Sequence, residues 1–259
     1  MIGRATTGLA RRIVGFARQL QEGYRAPHGV DFLSDLRRET HGRQLSVIFD
    51  VGANVGQSSL RYQRAFPCAH LYSFEPIRHT YDRLEQSLRD RPMVHCYNQA
   101  MGAAPGEIEV VLQKLSIENS LLQTAGSNSA GSTEWVRVDT VDRFCQAHNI
   151  PAIDFLKIDT EGFDLEVLKG AETLLAEQRV AFVQVEAGIG AHNTKHVPLQ
   201  VLQQHLQQRH YVPFGFYEQT PEFWNDMPRL RFCNVVFIAE REVEAVHQRL
   251  RSNAASRKH

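Results

Sequence analysis

The densest group of residues able to do chemistry is "KIDTEGFDLE", residues 157–166. Asp159 and Glu161 stand two apart at the close of a predicted strand, just before Gly162. Carboxylates in such a place can take a proton from a poor nucleophile such as a hydroxyl, or hold a divalent cation such as magnesium through hard oxygens. Asp164 and Glu166 fall in the first turn of the next helix, where the helix dipole favours acids without any further role. A second group ends the stretch "VQVEAGIGAHNTKH", residues 183–196. Glu186 closes its strand, and His192 and His196 lie in the loop beyond. An ordinary imidazole titrates near neutrality and suits base work, so His192 joins Asp159, Glu161 and Glu186 as a candidate catalytic residue. With 12 histidines in the chain, one near a site by chance is expected. No HExxH or CxxC spacing marks a zinc centre, so metal ligands stay unassigned. Lys157 and Lys169 are read as packing and helix-end charge. Asn234 either faces the acceptor or bonds to backbone.

A third group suggests what the acids act beside. In "VIFDVGANVGQSS", residues 47–59, an apolar strand carrying Asp50 runs into a glycine-spaced turn. Gly52 and Gly56 permit a tight turn and close approach of backbone to a ligand, and the helix that follows offers N–H groups and a positive dipole end. Glu75 closes the next strand, 25 positions after Asp50, where an acid holds a ribose diol. The pattern is GxNxG and not the GxGxxG of a pyrophosphate site. A nucleoside carrying an amino-acid tail fits better, which points to S-adenosylmethionine. Asp50 and the Gly52–Asn54–Gly56 turn then face the methionine end and Glu75 the ribose. Asn98 and Gln99, at the end of the third strand, face the adenine edge.

These groups need strands that end on one side of a sheet. The pattern predicts a helix over about 31–40 and a strand from Ser46, followed by a helix over about 55–66. A strand "HLYSFEP", a helix "YDRLEQSLRD" and a strand "MVHCYNQAMG" come next. "DFLKIDTEG" leads into a helix over about 165–176, and "VAFVQVEAG" into one over about 199–208. Alternating strands and amphipathic helices mean an open, mostly parallel α/β sheet covered on both faces. "YVPFGFYE" and "FCNVVFIAE" lack a long helix between them and predict an antiparallel last strand. "EIEVVLQ" and "EWVRVDT" around a polar loop at 124–134 read as a rim insertion at about 107–138, the loop serving as a mobile cover or as plain surface. The expected layout is an N-terminal helical extension over 1–40, a catalytic domain over 41–240, and a C-terminal helix and polar tail over 241–259.

The stretches "FDVGANVGQSS", "FEP", "NQAMG", "VDTVDRF" and "FLKIDTEGFDLEVLKGA", in this order and spacing, resemble FkbM-family methyltransferases. The resemblance spans about 31–239. It implies a class I methyltransferase Rossmann-like fold using S-adenosylmethionine, and mostly O-methylation of hydroxyls on sugars, glycolipids and polyketide-type products. It carries Asp50, Gly52, Asn54, Gly56, Glu75, Asn98 and Asp159 over as cofactor-pocket positions, and no particular acceptor. An N-methyltransferase, or a non-catalytic module on the same fold, stays as the alternative.

Composition narrows the partners. Formal net charge is zero, so no excess of Lys and Arg favours nucleic acid, and a small-molecule or glycan acceptor is expected. Cys68, Cys96, Cys145 and Cys233 are far apart, which suits a reducing cytoplasm. No apolar run reaches the roughly 20 residues of a membrane span. At the N-terminus, Ile13, Phe16, Ala17 and Leu20 share a helical face with Arg4, Arg11, Arg12 and Arg18 around them. That segment reads either as a membrane-surface arm or as a helix packed on this domain or on a second copy in a homo-oligomer.

Overall fold

The computed structural model describes residues 27–111, 132–222 and 229–256. The expected helix within 1–24 and most of the polar loop at 124–134 lie outside the described residues. Eight helices are described: α1 (Phe32–Glu39), α2 (Gln57–Ala65), α3 (Arg78–Leu88), α4 (Val141–Ala147), α5 (Asp164–Lys169), α6 (Glu172–Ala176), α7 (Leu199–Gln207) and α8 (Glu240–Ser256). The strands are β1 (Val47–Val51), β2 (His70–Phe74), β3 (Val94–Tyr97), β4 (Ala100–Met101), β5 (Gly106–Val111), β6 (Thr133–Asp139), β7 (Ile153–Ile158), β8 (Val180–Gly188), β9 (Tyr211–Pro221) and β10 (Leu230–Ala239).

Seven strands form the central sheet in the order β3-β2-β1-β7-β8-β10-β9. β3 to β8 run parallel, and β10 is antiparallel to both its neighbours. This is the class I methyltransferase Rossmann-like arrangement. Alternate residues feed two cores. Phe49, Val51, Leu156, Ile158, Val183 and Val185 pack on one face, and Ile48, Phe155, Phe182 and Val236 on the other. Apolar side chains on both faces are what a covered parallel strand requires. Caps set two helix starts: Asp31 accepts the Ser34 N–H (2.7 Å) and Thr140 the Arg143 N–H (3.1 Å). The order reverses between β1 and β7, so the crevice for a ligand opens at their carboxyl ends.

Three elements differ from the sequence pattern. The run "MVHCYNQAMG" splits into β3 and β4 because the Asn98 amide donates to the Glu75 and Pro76 carbonyls (3.0 and 2.7 Å) and turns the chain out of the sheet. β4 then joins β5 and β6, so the rim insertion is a second, three-stranded sheet. The helix expected over 165–176 breaks at Gly170, where a Cβ would lie 2.0 Å from the Gly102 carbonyl oxygen. Among the described residues no helix is long and apolar enough to cross a membrane.

Candidate active site

A cavity of about 270 Å³ opens at the carboxyl ends of β1, β2, β7 and β8. At one end stand Glu75, Ile77 and Gln99, and at the other Asp159, Glu161 and Glu186. The Gly52–Asn54 turn lies along the wall between them. Strands β1, β2 and β7 end level at Val51, Phe74 and Ile158, and β8 passes the same level at Val185, just before Glu186, so acids spread over 111 positions of sequence reach one space.

Glu75 ties both turns to the cavity. One oxygen accepts the Asn54 N–H (3.1 Å) and the other the Ile77 N–H (3.0 Å). Burial outweighs these bonds and pushes its carboxyl up to about 7, with Lys157 pulling it down and Asp50 pushing it up. Gln99 is 7% exposed, lines the cavity, and its Nε2 has no hydrogen-bond partner among the described residues. An unpaired buried amide is costly, and this one belongs to a residue that lines the cavity. Asn98, expected beside it, is spent on the turn after β2 and does not line the cavity.

Asp50 and Gly56 also stand outside the cavity. Asp50 is fully buried beneath the start of α2. Its Oδ2 accepts the Ser58 and Ser59 hydroxyls (2.6 and 2.5 Å), and its Oδ1 faces the Lys157 ammonium at 3.0 Å. Gly56 (φ 95°) presses on α3: an added Cβ would meet Leu84 and Ser87 atoms at 3.0 Å. Gly52 does line the cavity, but its φ of 78° serves a chain crossing, since a Cβ would fall 1.8 Å from the Asp159 carbonyl oxygen. Asn54 holds a left-handed φ of 50° and offers its N–H to Glu75.

Lys157 has a larger part than packing. Its ammonium is buried, 3.0 Å from Asp50, 3.3 Å from Asp159, and donates to the Gly52 carbonyl (3.3 Å). The two carboxylates outweigh burial and raise its pKa. It faces a second, polar cavity of about 330 Å³ that meets the first at Gly52, Asn54 and Asp159 and is lined also by Gln57, Arg61, Gln184 and Asn234. The Asn234 amide donates to the Glu218 carboxylate (2.6 Å), not to backbone.

At the acidic end the histidine that reaches Glu186 is His196, which is buried behind that acid, whereas His192 is exposed; neither is among the residues lining the cavity. His196 Nε2 lies 2.8 Å from Glu186 Oε2, with side-chain exposures of 4% and 12%. The loop after β8 folds back and turns the fourth residue beyond His192 inward. Glu161 sits at φ 53° beside Gly162 at φ 103°. Burial, then Glu186 and Asp159, raise the Glu161 carboxyl. Glu186 is raised by burial as well, against its bond to His196. Asp164, read from sequence as a helix-start acid, is fully buried. It accepts the Thr160 hydroxyl (2.7 Å) and the Glu186 N–H (3.2 Å), which binds the ends of β7 and β8 together.

Residues 50–211 match the Methyltransferase FkbM domain. Over 146 residues the chain is 28% identical to hexuronic acid methyltransferase AglP of Haloferax volcanii, covering 55% of this chain and 57% of that protein. Over 151 residues it is 22% identical to 2-O-methyltransferase NoeI of Sinorhizobium fredii, covering 53% and 62%. The chain thus spans less than two thirds of the length of either relative. Fibrillarin of Aeropyrum pernix, a structure with natively bound S-adenosyl-L-methionine, aligns at a TM-score of 0.45 and 11% identity over 76% of this chain and 67% of its own, a likeness from which nothing about chemistry follows. The domain match takes in well over half of the chain, from the acid of β1 to the first residue of β9, and the protein belongs to the FkbM methyltransferase domain family.

Proposed function

We propose that the protein uses S-adenosylmethionine to methylate a hydroxyl of a sugar, glycolipid or secondary metabolite. The observation that carries this reading is one cavity with a nucleoside-binding end, Glu75 and Gln99, and a carboxylate end, Asp159, Glu161 and Glu186. The residues fit the cofactor. The unpaired Gln99 amide suits an adenine edge. Each Glu75 oxygen accepts one backbone N–H and keeps a lone pair for a ribose hydroxyl. The polar second cavity, at the start of α2 with Gln57 and Arg61, suits the amino-acid tail.

When bound, the cofactor supplies an electrophilic methyl group on a sulfonium centre. The chain's own task is alignment and removal of the acceptor's proton. Asp159 stands where the two cavities meet, backed by the Lys157 ammonium at 3.3 Å. It is placed to accept the hydroxyl proton while Lys157 balances the charge. The acceptor enters at the Glu161 and Glu186 end. Two relatives named for a hexuronic acid and for 2-O-methylation support a sugar acceptor. The separated cysteines support a reducing cytoplasm as its setting.

The test is methyl transfer from labelled donor to a panel of free sugars, uronic acids and glycolipid extracts, with mass analysis of the product. Binding of S-adenosylhomocysteine is measured alongside by calorimetry. Methyl on an acceptor oxygen is expected. A folded protein that does not bind S-adenosylhomocysteine, or a product methylated on nitrogen, refutes the reading.

A further inference from the structure

We propose that Glu161, Glu186 and His196 form a binding site for a divalent metal ion, manganese or magnesium, at the acceptor end of the cavity. Each offers a ligand atom, and these atoms lie within 4.8 Å of one another. Around a six-coordinate ion of this size, adjacent ligands sit about 3 Å apart and opposite ones about 4 Å. Glu186 Oε2 and His196 Nε2, 2.8 Å apart, already have the spacing of adjacent ligands. Glu161 offers the third ligand atom, a carboxylate oxygen within 4.8 Å of the other two. Two carboxylates and an imidazole make a hard-to-borderline donor set, and the nitrogen tips the preference from magnesium toward manganese.

The histidine is held as a ligand needs to be held. Its ring stacks on Phe232 (centroids 4.5 Å apart, 28° between planes). Its far nitrogen, Nδ1, lies 3.0 Å from Asn193 Oδ1 and 2.8 Å from Asn193 Nδ2. The Asn193 amide is itself oriented: its nitrogen donates to the Arg231 carbonyl (2.9 Å) and its oxygen accepts the Lys195 and His196 N–H groups. A proton on Nδ1 given to the Asn193 oxygen leaves the Nε2 lone pair directed at Glu186. A polar partner on the far nitrogen is the usual support of a metal-bound histidine. On the acid side, the Asp164 carboxylate accepts the Glu186 N–H and fixes the end of β8. The left-handed backbone at Glu161 brings its carboxylate to the same cavity. Such strain is kept where the surrounding structure demands it, often at functional sites.

The ion's role rests on the methyl-transfer reading, but the site does not. Glu161 and Glu186 line the cavity, so an ion held by the three residues would stand beside an acceptor hydroxyl there and would ease the loss of its proton. The proton would pass to Asp159 as the oxygen–methyl bond forms and the methyl–sulfur bond breaks, its electron pair staying on sulfur and S-adenosylhomocysteine leaving. No oxidation or reduction is involved. The rival reading is a plain hydrogen-bonded pair, with Nε2–H donated to Glu186.

The whole chain, stripped with chelator and dialysed, is titrated with manganese chloride and, separately, with magnesium chloride by calorimetry. Free manganese is followed in parallel by its electron paramagnetic resonance signal. One site per chain is expected, with affinity lowered about tenfold or more in Glu186→Gln and His196→Ala and unchanged in His192→Ala. If His196→Ala does not fold, Glu161→Gln decides in its place. S-adenosylhomocysteine binding is measured on the same samples. Manganese binding without S-adenosylhomocysteine binding upholds the metal site and sinks the methyl-transfer reading alone. No uptake of manganese or magnesium by wild type, or uptake unchanged in both acid variants, overturns the proposal.

Discussion

Glu75 makes cofactor binding depend on pH in a calculable way. Burial raises its carboxyl from 4.5 to about 7 in the ligand-free fold. Ribose hydroxyls donate to the ionised form, so binding draws the group back toward its ordinary range and releases a proton. At pH 5.5 only about one molecule in 30 carries the carboxylate needed, which weakens affinity about 30-fold, or about 2 kcal/mol, relative to pH 8.5. Affinity therefore rises with pH up to about 7 and then levels. Calorimetric titration with S-adenosylhomocysteine from pH 5.5 to 8.5, in two buffers of different ionisation enthalpy, reads both the slope and the proton. Glu75→Gln binds about 1–3 kcal/mol more weakly at pH 8.5 and lacks this step, which separates Glu75 from the other raised acids of the cavity. A flat wild-type profile, or the same slope in Glu75→Gln, refutes the reasoning. The same shift acts on stability. The folded pKa lies above the unfolded one, so the group's contribution is complete below about 4.5 and is lost as pH rises through about 7.

Lys157→Met leaves Asp50 buried and unpaired, and a melting curve should show a loss of about 3–5 kcal/mol; a cost no larger than that of Lys169→Met at the surface would remove Lys157 from the centre of the site. Gly52→Ala places a Cβ against the Asp159 backbone, 1.8 Å from its carbonyl oxygen, so it should lower the melting temperature as well as cofactor affinity. An alanine variant of unchanged stability would contradict the crossing at β7. Gln99→Ala should weaken S-adenosylhomocysteine by about 1–2 kcal/mol, whereas Asn98→Ala should chiefly lower stability, a contrast that paired calorimetry and melting curves can reverse or uphold.

The alternation of apolar strands and amphipathic helices was enough for the parallel sheet and its antiparallel close, because side-chain periodicity is a local property of the chain. The positions of Glu75, Asp159 and Glu161 just beyond strand ends followed from the same pattern, whereas β8 runs two residues past Glu186 because β10 pairs with it there. Lys157 was legible in principle. A lysine inside the apolar run "DFLKI" needs an acid partner, and pairing of β1 with β7 sets it opposite Asp50. The strand neighbours, however, are not written in the local sequence. Asn98 and Gln99 are adjacent amides with the same apparent prospects, and only the turn out of β3 assigns one to backbone and the other to the cavity. His192 and His196 look alike along the chain too. Which of them reaches Glu186 depends on how the loop after β8 folds against Phe232 and Arg231. Composition and spacing thus determined the strands of the central sheet and the end of it at which acids gather, but not the split of β3 from β4 or the helix break at Gly170. Which side chain turns inward was decided by contacts between segments far apart in sequence, where the cost of burying an unpaired polar group selects one neighbour over another.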